Sequence, residues 1–162
     1  MKPNAIRPYM PGYGIKGPDE GAGLLPWSWA VERLTSSHDY WVATVDADGK
    51  PAVMPVWGAW IDDAVWFSSS PRSRRARNLS RDPRCTVTTD NALEPVVVEG
   101  AADLVTGRAA VEAFTNAINP KYNEQIPVEF FAENALFRVP PTVAYGLTEA
   151  DFTGTPTKWQ FP

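Results

Sequence analysis

Residues 40–69 read YWVATVDADGKPAVMPVWGAWIDDAVWFSS, a stretch rich in β-branched and aromatic residues and cut twice by turn signals. DADGK at 46–50 turns the chain back through Gly49, and Asp62-Asp63 makes a second tight turn. Three consecutive strands follow, at about 40–45, 51–60 and 64–69. Strands joined by such short turns pair antiparallel, because a parallel pair needs a crossover of a dozen or more residues. Further strands are expected at 84–90 and 94–105, the second bent at Gly100, with closing strands in ALFRVPPTVAYGLTEAD (135–151). Five or six antiparallel strands with only short helices close into a barrel, since closure removes edges that would otherwise aggregate. The expected fold is mainly β: a six-stranded antiparallel barrel with helices flanking or plugging it.

Helical spacing appears in three places. In LLPWSWAVERLTSS (24–37), Pro26 suits a first turn, and Trp27, Ala30, Val31 and Leu34 share a face. RSRRARNLSRDP (72–83) follows Ser70 as the expected N-cap and Pro71 as the first helical residue, and closes at Asp82-Pro83. GRAAVEAFTNAINPKYN (107–123) puts Ala110, Val111, Phe114 and Ile118 on one face and is expected to end at Pro120. The first 25 residues are rich in Gly and Pro without periodicity and read as an irregular arm. Residues 26–162 read as one domain, a size that supports a hydrophobic core.

Six of the chain's ten arginines (Arg72, Arg74, Arg75, Arg77, Arg81 and Arg84) lie in 13 residues of a protein with a net charge of −4. The run is either a solvated face or an anion site. Asp82 alone cannot balance it, and like charges at helical spacing repel. Cations in a first helical turn also oppose the helix dipole. Ser68, Ser69, Ser70 and Ser73 place hydroxyls at the same end, so a bound phosphate answers each objection. The net negative charge disfavours a nucleic-acid partner. A lone Cys85 rules out an internal disulfide and suits a reducing compartment; it reads as a core residue. With no secretory apolar run and no membrane-length segment, the expected location is the cytoplasm.

MPVW (54–57), a hairpin, VWFSSS (65–70), SRRARNL (73–79) and DPR (82–84), in that order, resemble the pyridoxamine 5′-phosphate oxidase-like split-barrel family. More narrowly they are similar to its actinobacterial flavin/deazaflavin oxidoreductase branch. TVDADGKP (44–51), VVEGAA (97–102), Lys121-Tyr122 and TKWQF (157–161) support the narrower likeness. The resemblance implies an FMN-binding type of split barrel and an obligate homodimer with cofactor sites at the subunit interface. It also implies that the cofactor ring lies along Met54, Pro55, Val56 and Trp57. The phosphate falls to Ser69, Ser73, Arg74 and Arg75, with Arg77 and Asn78 nearby, and Trp159 closes over the cofactor from the partner chain.

Hydride chemistry belongs to such a cofactor rather than to an acid–base dyad, so no residue is assigned a catalytic role and no metal is expected. His38 and Asp62-Asp63 read as turn residues. The cofactor is coenzyme F420 or FMN. F420 is favoured because Arg77, Arg81 and Arg84 exceed one phosphate's needs and could follow a longer anionic tail, with Lys2, Arg7 or Lys16 from the arm as further candidates. The implied reaction transfers a hydride between F420 and a flat, apolar, unsaturated small molecule. The rival from another class is a non-catalytic barrel that stores or senses a cofactor or haem.

Overall fold

The computed structural model describes residues 2–162 and is mainly β. Its strands are β1 (Asn4–Ile6), β2 (Asp39–Val45), β3 (Pro51–Ile61), β4 (Ala64–Ser69), β5 (Arg84–Thr89), β6 (Val96–Ala101), β7 (Asp103–Val105), β8 (Ala135–Val139), β9 (Pro141–Gly146) and β10 (Thr157–Gln160). All pairings are antiparallel, in the order β1-β10-β9-β6-β5-β2-β3-β4-β8-β7, and the sheet curls into a half-barrel. Helices α1 (Trp27–Ser36), α2 (Arg74–Arg81), α3 (Arg108–Tyr122) and α4 (Val128–Ala132) cover it. None is long and apolar enough to cross a membrane.

Ten strands replace the expected six. The 94–105 segment divides at Ala102 into β6, which pairs with β5 and β9 and shifts register at Glu99/Gly100, and β7, which pairs with β8. Gly100 is required there: a Cβ would stand 2.3 Å from the Pro140 carbonyl oxygen. The aromatic tail becomes β10. The arm, expected to be irregular, contributes β1, which pairs with β10; Met1 lies outside the described residues. Arg7 fastens the arm by donating to the Pro156 carbonyl at 2.8 Å and the Gly17 carbonyl at 3.0 Å.

Two cores result. Inside the curl, Leu34 of α1 meets Val42, Phe67, Val87, Val98 and Val139 from five strands. The second lies under α3, where Phe114, Ile118 and Tyr122 pack with Phe131, Leu136 and Trp66. Contrary to expectation, α3 runs through Pro120 for two more residues before Asn123 caps it with left-handed geometry. Pro120 forfeits its own N–H bond and crowds the carbonyl one turn back, so local preference opposes this extension. The buried Tyr122 beyond it holds the last turn in place.

β3 belongs to both halves of the sheet. Residues 51–57 pair with β2, while residues 58–61 pair with β4. At the changeover stands Gly58, whose Cβ would lie 2.7 Å from the Trp66 carbonyl oxygen, so no side chain fits. The barrel is split along residues 51–57, whose β4-facing edge has no strand against it.

Candidate functional site

The open edge of β3 borders a cleft of about 420 Å³. Pro55, Val56 and Trp57 form one side, residues 68–70 at the end of β4 form another, and Arg75 reaches in from α2. Phe114 and Ile118 from α3, with Phe130 and Phe131 from α4, make an apolar wall. Strand residues send their N–H and C=O alternately to either side. Gly58 sends both towards β2, so Pro55 and Trp57 send theirs to the open side. Pro55 therefore sits where a missing N–H removes no ladder bond, the position a strand tolerates in proline.

Arg75 Nη1 donates to Ser69 Oγ at 3.1 Å, and Ser69 Oγ lies 2.8 Å from Ser73 Oγ. Ser73 Oγ also accepts from the Ala76 N–H at 3.0 Å, which makes Ser73, not Ser70, the N-cap of α2. Residues 70–73 form a turn closed by Ser73 N–H donating to the Ser70 carbonyl, so Pro71 is in that turn and outside the helix. Burial pulls the Arg75 guanidinium below its usual pKa, and among the described residues no carboxylate pairs with it. A half-buried cation beside two hydroxyls at a helix start, facing an apolar cleft, has the donors that an anion would accept from.

The other arginines point elsewhere. Arg74 Nη2 pairs with Asp46 Oδ2 at 3.2 Å on the β2–β3 hairpin. Backbone N–H groups, first that of Lys50, hold the Asp46 carboxyl below its ordinary range, and Arg74 adds to this. Arg81 donates to the Val45 carbonyl. Arg84 pairs with Asp82 at 2.7 Å, and those hydrogen bonds lower the carboxyl to about 2. Arg72 and Arg77 are exposed and carry no ion pair among the described residues. Asn78 is buried and donates to Thr44 Oγ1 at 3.0 Å, so it joins α2 to β2 and faces away from the cleft.

Of the residues expected to hold a cofactor, the structure gathers Pro55, Val56, Trp57, Ser69, Ser73 and Arg75. Met54 is 62% exposed beside the open edge. Trp159 is 0% exposed: its ring packs on Trp27 and Trp29, and its Nε1 donates to the Leu25 carbonyl at 3.2 Å. It is a core residue of its own chain and cannot reach over a ligand without leaving that core. The apolar wall was missed in the sequence. Phe114 and Ile118 signal only a buried helix face, and VEFF after Pro127 was the one available hint of α4.

The sequence matches the model of the pyridoxamine 5′-phosphate oxidase family over residues 30–148. The chain belongs to that family. No curated protein matches it. Among solved structures it is similar to an F420 reductase at 25% identity and a TM-score of 0.58, covering 70% of this chain and 93% of that one. A FAD-binding protein from Mesorhizobium loti shares 17% identity with a TM-score of 0.62, over 85% and 96% of the two chains. A heme binding protein from Mycobacterium smegmatis shares 17% identity with a TM-score of 0.58, over 81% and 62%. Solved structures with this fold thus include proteins named for F420, FAD and heme, and the fold alone does not choose among them.

Proposed function

We propose that this protein is an oxidoreductase that holds a phosphorylated flavin-type cofactor, F420 in preference to FMN, on the open edge of β3. On this reading it transfers a hydride to or from a flat, apolar, unsaturated small molecule. The carrying observation is Arg75: a half-buried guanidinium without a carboxylate, joined to Ser69 and Ser73 at one end of an apolar cleft. The chain fits such a group. Arg75, Ser69 and Ser73 take the phosphate, the backbone of Pro55 and Trp57 meets the ring's polar edge, and Phe114, Ile118 and Phe130 exclude water. When bound, the cofactor supplies the hydride chemistry, and the protein binds, orients and desolvates.

The choice between the two cofactors turns on the remaining arginines. Arg74, Arg81 and Arg84 are each held by their own chain, which leaves Arg72 and Arg77 as the exposed cations for an anionic tail. That is less than the sequence suggested, and it keeps FMN as the second reading. A haem reading is weaker, because His38 is exposed beside Asp39, at 3.0 Å, and does not line the cleft.

The proposal extends to a homodimer. Trp41, Val53 and Trp57 lie on one face of neighbouring β2 and β3 and form an exposed apolar patch next to the cleft, while Met54, also exposed, lies on the other face of β3. A second copy would bury that patch and shield the open side of the site.

Titration of the purified protein with F420 and with FMN, followed by ring fluorescence, tests the reading. Binding of either below about 100 μM is expected, with F420 the tighter. Failure of both would remove the oxidoreductase assignment.

A further inference from the structure

β2 begins at Asp39, opposite Trp57, so the next position of that ladder would set His38 against Gly58. Both polar backbone groups of Gly58 face this gap. The Tyr122 hydroxyl fills it: it donates to the His38 carbonyl and accepts from the Gly58 N–H at 3.0 Å. A phenol has one proton, and its nearest acceptor is the His38 carbonyl; the Gly58 carbonyl, 3.2 Å from the same hydroxyl, is met more closely by another donor. Lys121 provides it, with Nζ 2.7 Å from the Gly58 carbonyl oxygen and 3.4 Å from the Tyr40 hydroxyl. The ammonium lies over the Tyr40 ring at 4.7 Å and the Tyr122 ring at 5.3 Å. Among the described residues it forms no ion pair. The Tyr122 ring also stacks on Trp57, 4.2 Å between centroids and 8° from parallel.

We infer that Tyr122 and Lys121 are positioning residues of the candidate site: together they replace the missing rung where β3 changes partner, and so hold the open edge at Pro55 and Trp57 in one geometry. The inference rests on the function proposed above. Neither residue lines the cleft, so both act through Gly58 and Trp57. The same helix carries Phe114 and Ile118, which couples the clamp to the apolar wall.

Titration of the lysine gives the clamp a signature of its own. The groups facing Lys121 are Tyr40 and Asp39 of β2, Tyr122 beside it, and Asp90 after β5; His38 meets Tyr122. Burial lowers Lys121 from 10.5 to about 8, against the pull of Asp39 and Asp90. Burial likewise raises Tyr122 to about 12, so it keeps its proton through this range. Between about pH 8 and 10.5 the unfolded chain binds the extra proton, so Lys121's contribution to folding stability rises with pH. Its bond to Gly58 weakens around pH 8, where Lys121 in the folded chain loses its charge. Ring binding and stability therefore move in opposite directions.

The test uses the full chain with Tyr122→Phe, Lys121→Met and Lys121→Arg. Tyr122→Phe keeps the stacked ring and removes the rung. Amide exchange at Gly58, whose N–H the Tyr122 hydroxyl accepts, should quicken about tenfold relative to the inner β5 and β6 amides, consistent with loss of one hydrogen bond. Affinities for FMN and for riboflavin, which lacks the phosphate, should fall by the same factor, about tenfold. Wild-type FMN affinity should decline above about pH 8, stay level in Lys121→Arg, and be weak at every pH in Lys121→Met. Uniformly faster exchange across the protein, or unchanged exchange at Gly58, would overturn the clamp. If the wild type binds no flavin or F420, the proposed function fails, while the exchange comparison still decides the clamp.

Discussion

Arg74 and Arg75 are neighbours in sequence with different partners, because successive helical residues point about 100° apart. Arg75 reaches Ser69 and the cleft; Arg74 turns to Asp46 on the hairpin. Arg75→Ala should weaken binding of FMN or F420 roughly tenfold to a hundredfold, the loss of one or two charge-assisted hydrogen bonds. Arg74→Ala breaks an exposed pair and should change affinity less than about threefold, with under about 1 kcal/mol of stability lost. Parallel fluorescence titrations of the two variants check this, and equal losses would reassign the phosphate site. The sequence could identify the arginine cluster but not which member faces the cleft, since that depends on which face α2 turns to β2. Asn78 shows the same limit: its approach to Thr44 is set by packing between α2 and β2, 34 residues apart. Cys85 was legible as a core residue, and burial duly pushes its thiol up to about 12.

At the scale of elements, the tail strand carries the clearest correction. Thr157–Gln160 pairs with both β9 and β1, which drives Trp159 inward against Trp27 and Trp29. Trp159→Ala should destabilise the fold by about 3–5 kcal/mol, as expected for a fully buried aromatic in a core. Denaturant unfolding measures this. A variant of wild-type stability with weakened cofactor binding would return Trp159 to the site. The hairpins β2–β3 and β3–β4 were readable because their turns are local, and Ala64–Ser69 falls within the expected bounds. β1 and α4 were not: three and five residues carry no period, and both exist only because a partner is present to pair or pack with them. Pro120 misled for a related reason, since the tertiary anchoring of Tyr122 outweighs a local breaker.

For the whole molecule, the split along β3 sets both the cleft and the exposed patch beside it. Trp41 at 44% and Trp57 at 45% exposure share a sheet face with Val53. Val53→Glu with Trp41→Glu would place charge in the proposed interface and should turn a dimer into a monomer of unchanged secondary structure. Light scattering with circular dichroism reads both, and a wild type that is already monomeric would withdraw the dimer. What the sequence by itself determined was the family and the meander at the centre of its fold. Strand–turn–strand signals and a serine-arginine cluster are local, and local pattern survives without coordinates. Only the tertiary structure decided that β3 changes partner at Gly58, that Arg75 rather than Arg74 faces the cleft, and that Trp159 belongs to the core. Each of those depends on which distant segment lies alongside, and that is settled by packing over the whole sheet rather than by the residues on either side.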